Sequence, residues 1–103
     1  MHVIARPAIT KAQHDHPDAQ KWLDAWWAVA SKARWEKLED VRVDYSSVDQ
    51  VSRCLVFNVC GTKYRFIVKV SYANQWTNGT LFAKHFLTHA EYDKDRWKRD
   101  CCP

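Results

Sequence analysis

The chain has 103 residues, 47% of them hydrophobic and 14% aromatic, enough to build one core and too few for a second. Its six Trp, four Tyr and four Phe exclude a chain disordered throughout, because each ring buries a large apolar area. The net charge of +4 is uneven: residues 1–60 hold eight Lys/Arg and eight Asp/Glu, residues 61–103 eight against four, which suits an anionic partner of the second part and also plain solubility.

In chain order, the apolar run His2-Val3-Ile4-Ala5 reads as a short strand, and Arg6-Pro7 opens a short helix over roughly residues 7–14, since proline is well placed in a first helical turn. A second helix starts around His16-Pro17-Asp18 and runs to about Trp35, with Trp22, Leu23, Trp26, Trp27, Ala30 and Ala33 at the helical period. Aromatic residues at that spacing form a core face in preference to a base-stacking platform. Residues 36–50 are charged and turn-prone and read as a linking segment. Three strand-like runs follow, Cys54 to Val59, Lys63 to Tyr72 and Thr80 to Leu87, separated by Cys60-Gly61-Thr62 and by a loop whose Asn78-Gly79 pair marks a hairpin. Ala90 to about Lys98 is compatible with a terminal helix.

The fold expected is α+β, in the order β-α-α-β-β-β-α, with helices on one face of a small, mainly antiparallel sheet. One domain should span residues 1–98, with a tail over 99–103. Alternation along the middle strand sends Tyr64, Phe66, Val68 and Val70 to the helices and sets Lys63, Arg65 and Lys69 in a row on the open face. Lys84 on the next strand joins the row if the register is favourable. Such a cationic floor would suit phosphates; solvated charges on an alternating strand explain the same pattern.

MHVIARPAIT lacks the apolar run of a signal peptide, and no segment approaches the ~18 apolar residues that span a bilayer, so a cytoplasmic protein is expected. Cys54, Cys60, Cys101 and Cys102 are too few and too unevenly placed for a disulfide framework and are expected as free thiols. Two glycines leave no Gly-rich phosphate loop, and there is no GxSxG, HExxH or paired CxxC. No cofactor is expected. His14-x-His16 lacks a zinc-ligand spacing, and both histidines read as surface residues at a helix boundary.

Leu87-Thr88-His89-Ala90-Glu91-Tyr92-Asp93 brings a titratable His and a Tyr to a strand-to-helix junction, three residues apart and hence one turn from each other. The competing reading is that Thr88 or His89 caps the last helix, with Glu91 near its positive end.

The block Phe57-Asn58-Val59-Cys60-Gly61-Thr62-Lys63-Tyr64-Arg65-Phe66-Ile67-Val68, followed by Thr88-His89-Ala90-Glu91-Tyr92-Asp93-Lys94, resembles two blocks of the HigB family of RelE-like toxins. His16-Pro17-Asp18-Ala19 ahead of the Trp-rich helix is similar to that family's second helix, so the resemblance runs from Val3 to Lys94. It departs at Thr62, where the family more often has Asn, at Lys84, where Arg is common, and at Leu87, where Gly is common. The resemblance implies a RelE-like fold, an mRNA interferase that cuts messenger RNA, commonly on the ribosome, and neutralisation by a helix-turn-helix antitoxin of the HigA type.

Cleavage of RNA without a metal uses the substrate's 2′-hydroxyl as nucleophile and needs a proton acceptor, a donor for the departing 5′-oxygen and cations at the phosphate. The roles expected are Arg65 as phosphate clamp, Lys63 and Lys84 as charge stabilisers, and His89 with Tyr92 for protons or base stacking. Lys69 extends the RNA-binding floor, and Lys94, Lys98 and Arg99, with Arg96 nearby, either anchor ribosomal RNA phosphates or form a solvated helix face. Rival readings are a non-catalytic RNA- or ribosome-binding module and an interaction domain whose basic face serves an acidic protein segment.

Overall fold

A computed structural model describes residues 1–4 and 6–101, with Arg6 described through its backbone alone. Ala5, at the end of the expected first strand, and Cys102 and Pro103, in the expected tail, lie outside the described residues. Strand β1 (His2–Ile4) leads into helix α1 (Arg6–Asp15); a 3₁₀ turn over Pro17–Ala19 precedes α2 (Gln20–Lys32) and α3 (Leu38–Asp44). Strands β2 (Asp49–Val51), β3 (Cys54–Val59), β4 (Tyr64–Ser71) and β5 (Thr80–Thr88) follow, then α4 (His89–Asp93) and a 3₁₀ turn over Arg96–Asp100. The sheet order is β1-β5-β4-β3-β2. β1 lies parallel to β5 and every other pair is antiparallel, as expected of an α+β chain with a mainly antiparallel sheet. Among the described residues no helix is long and apolar enough to cross a membrane.

The main core lies between the helices and one sheet face. Leu23, Trp26 and Ala30 on α2 and Ile9 and Ala12 on α1 meet Leu55, Phe57, Val59, Phe66, Val68 and Leu81. Trp26 is fully buried, its ring 4.8 Å from that of Phe66 and 5.8 Å from that of Phe57, both edge-on, so the tryptophan face is core. The α-amino group of Met1 donates to the carbonyl oxygens of Ala30, Ser31 and Ala33, placing positive charge where the peptide dipoles of α2 leave partial negative charge.

Residues 36–50 are not a plain linking segment: they contain α3 and most of β2. Glu39 and Asp40 occupy the first turn of α3, where negative charge is favourable, and Val41 anchors it in the core. The expected terminal helix is also divided. α4 ends at Asp93, and Asp95 takes a left-handed conformation (φ 59°) that starts a new turn.

The second face of the sheet is not left open. The C-terminal turn folds back across it, and Trp97 and Cys101 pack on Cys54, Val56 and Ile67, with Val51, Leu87 and Tyr92 alongside. β3, buried on both faces, is accordingly apolar at nearly every position. Cys54 and Cys101, expected as free thiols, form a disulfide with Cα atoms 5.3 Å apart, whereas Cys60 is free and exposed. The pairing joins residues 47 apart that only the folding back of the turn brings together. The tail expected from Arg99 onward is packed through Cys101.

Candidate nucleic-acid interface

β4 and β5 define the site. Tyr64 pairs with Thr88, Arg65 with Leu87, Phe66 with Phe86 and Ile67 with His85, but Val68 pairs with Ala83, so Lys84 is an extra residue in a bulge. Ala83 and Phe86 both pack toward the helices, which a strictly alternating strand cannot do for residues three apart. The bulge resolves that conflict. It exposes Lys84 and sets His85 and Leu87 on the face that carries Arg65 and Ile67.

Lys69 faces Cys54 on one side and Phe82 on the other and stays half-exposed on that face. Lys84 reaches it only indirectly, with Nζ 5.7 Å from the Phe82 ring centre. Lys63 departs from the expected row altogether. It precedes β4 in the turn, and its ammonium pairs with Asp18, which also accepts from the Tyr64 hydroxyl at 2.9 Å. The Lys63 and Tyr64 hydrogen bonds hold the Asp18 carboxyl below its ordinary range, and the Asp18 bond raises Lys63. Burial, then Asp18, raises the Tyr64 phenol.

Arg65 and Tyr92 are brought together. The guanidinium carbon lies 5.2 Å from the Tyr92 ring centre, and Nη1 donates to the carbonyl oxygens of Thr62 (2.8 Å) and Tyr64 (3.3 Å). The fork is thereby fixed before any ligand arrives. Tyr92 in turn stacks on Trp97, with ring centres 5.1 Å apart and planes 13° from parallel, and Trp97 Nε1 donates to the Tyr92 carbonyl.

The capping reading of the junction holds: Thr88 accepts from Glu91 N–H, and the Glu91 carboxylate accepts from Thr88 N–H, a reciprocal pair. Those bonds from the Thr88 backbone and hydroxyl lower the Glu91 carboxyl, with His16 and Lys94 adding smaller effects. His89 does not join Tyr92; its Nδ1 lies 3.0 Å from Asp93 on the exposed side of α4.

Lys94, Arg96 and Arg99 border a cleft of about 220 Å³ whose floor is His85, Leu87 and Trp97. Among the described residues none of these three cations pairs with a carboxylate within 4 Å. Lys98 points elsewhere, pairing with Asp95 at 3.3 Å over the Trp97 ring. Across β5, a second cleft of about 210 Å³ runs between Lys84–Leu87 and the Lys11, Ala12 and Asp15 side of α1.

Four residues of this region escaped the sequence reading. Arg96 was only a neighbour of the expected anchors, yet it is a wall of the first cleft. His16, read as a surface residue, is half-buried with its ring 4.7 Å from Tyr64 and 5.4 Å from Phe86. His85 and Asp100 are paired through Nε2 and Oδ2 in the first cleft; the signal for His85 was the broken alternation of Ala83-Lys84-His85-Phe86, while Asp100 carried none.

The region thus offers a fixed guanidinium over a phenol, three cations around a cleft that pair with no carboxylate among the described residues, stacked rings and a carboxylate-held imidazole, which suits an anionic, base-bearing polymer. Comparison with curated proteins finds no match. The family model for the HigB toxin, described as a RelE-like toxic component of a toxin-antitoxin system, matches residues 19–95, a span that holds Arg65, Lys84 and Tyr92; the chain belongs to that family and is the toxin of such a system, with an antitoxin as its partner.

Proposed function

We propose that the toxin is a metal-independent endoribonuclease, an mRNA interferase that cuts messenger RNA on the ribosome, inhibits translation and is neutralised by a helix-turn-helix antitoxin of the HigA type. The observation that carries this reading is Arg65, held by two backbone carbonyls above Tyr92 and one strand from Lys84. A preorganised planar cation matches two phosphate oxygens and stabilises the extra charge of a five-coordinate phosphorus without reorganising. Lys84 adds charge from the bulge, and Tyr92 offers a ring for a splayed base. Lys69, Lys94 and Arg99 bind flanking phosphates, and Lys98 and Lys63 stand at the margin because carboxylates already hold them. His89, on the exposed side of α4, is available for protons only if RNA reaches past Asp93. A thin acid-base set favours a ribosome that orders the message for in-line attack by its 2′-hydroxyl.

The test is inducible expression in bacteria of the wild-type chain and Arg65→Ala, following growth and message 5′ ends together. Arrest with new 5′ ends, both lost in Arg65→Ala, is the expected outcome; the variant should lose about a hundredfold or more in rate. Arrest without new ends would replace the nuclease by a non-catalytic RNA- or ribosome-binding module.

A further inference from the structure

We propose that His85 is a catalytic residue of this cleft, accepting the proton of the attacking 2′-hydroxyl, and that Asp100 is the positioning residue that sets its tautomer; the inference rests on the RNA-cleavage reading above. Three observations carry it. The bulge at Lys84 places His85 opposite Ile67, on the same face as Arg65 and beside both clefts, and bulges of this kind re-aim side chains next to active sites. Of the imidazoles at the Arg65 end of β5, His89 is engaged with Asp93 and His16 is stacked against Tyr64 and Phe86, while His2 lies at the far end beside Thr80.

The third observation is that the His85–Asp100 contact is not needed to seat the C-terminal turn. Cys101 is bonded to Cys54, Trp97 is buried, and Arg53 N–H donates to the Cys101 carbonyl. His85 and Asp100 keep 31% and 44% of their side-chain surface exposed, and a partly exposed pair adds little stability. The bond from His85 lowers the Asp100 carboxyl, with Lys84 and Arg99 contributing, so Asp100 is an ionised acceptor. In the neutral ring that the proposal requires, Nε2–H donates to this carboxylate and the lone pair sits on Nδ1. Asp100 lies beyond the residues matched to the family.

In the step, the 2′-oxygen bonds to phosphorus as its proton passes to His85 Nδ1, the bond from phosphorus to the 5′-oxygen breaks, and that oxygen takes a proton from water. His85 then returns its proton to solvent. The products are a 2′,3′-cyclic phosphate and a 5′-hydroxyl.

The experiment measures cleavage of a short message on programmed ribosomes by the full chain, by His85→Ala, His85→Gln and Asp100→Asn, and by Arg65→Ala, with and without added imidazole. His85→Ala is expected to lose about a hundredfold in kcat at unchanged RNA affinity and to regain part of it with imidazole. Arg65→Ala gains nothing from imidazole, and Asp100→Asn shows a smaller loss in kcat. His85→Gln keeps a hydrogen bond to Asp100 and serves where the Ala variant is unstable. Wild-type cleavage by His85→Gln, or a loss that imidazole does not relieve, assigns the pair to holding the turn and overturns the inference while the nuclease reading stands. An intact message with the wild-type chain overturns both.

Discussion

Asp18 gathers the Lys63 ammonium and the Tyr64 hydroxyl at the mouth of the β3–β4 turn, the segment whose carbonyls fix Arg65. Its carboxyl is lowered below the ordinary 3.8, so the folded state holds the ionised form more tightly than the unfolded chain does. The contribution is fully present above the unfolded value and is lost as pH falls through the folded one. Lys63 behaves oppositely, raised above 10.5, so its share is present at neutral pH and lost as pH rises through the folded value. We expect Asp18→Asn to be less stable than wild type near neutrality and the difference to close below about pH 4. Urea midpoints across that range check this; a difference independent of pH would show that the charge on Asp18 is not what matters. Because Thr62 and Tyr64 hold Arg65, Asp18→Asn should also weaken any function that depends on the Arg65 fork.

The C-terminal turn is the element that converts a sheet with one covered face into a sheet covered on both. Trp97 supplies the buried ring and the Cys54–Cys101 bond closes a loop of 47 residues, which on loop-closure entropy is worth about 4 kcal/mol. Cys101→Ser is expected to lower unfolding stability by about 3 kcal/mol, and a dithiol reductant should produce the same loss in wild type but none in the variant. Equal stability of the two proteins before reduction would overturn this. The turn also marks where the sequence stopped being informative. β3, β4 and β5 were legible to within a residue or so because β-branched and aromatic runs alternate between turn signals. α3 was not, because a seven-residue helix with Val41 as its one buried residue leaves no period to read. Trp97, lone among charges, likewise gives no pattern from which a covered face follows, and so the pairing of Cys54 with Cys101 was invisible. Arg65 and Tyr92 stood out in the sequence as candidates through their motif, whereas their contact, the diversion of Lys63 to Asp18 and the pairing of His85 with Asp100 depend on register and on chain return.

Across the molecule the charge excess of residues 61–103 becomes a surface. β4, α4 and the C-terminal turn bring Arg65, Lys94, Arg96 and Arg99 around one face, with Lys84 at the β5 bulge beside the second cleft, while the helical layer holds balanced charge with local pairs such as Lys11–Asp15. A polyanion bound there releases counterions in proportion to the phosphates neutralised, and for single-stranded RNA each cation contributes about 0.7 to the slope of log affinity against log salt. If the cleft cations act as phosphate contacts, Lys94→Ala and Arg99→Ala should each weaken RNA binding and lower that slope by about 0.7. Lys21→Ala, exposed on α2 in the helical layer and not part of the cleft lining, should leave both unchanged. Binding titrations of a short single-stranded RNA over a range of salt concentrations measure both quantities. A slope that Lys94→Ala and Arg99→Ala leave intact would mean that RNA does not cross the cleft, and the basic face would then belong to the antitoxin, whose binding should carry the salt dependence in its place.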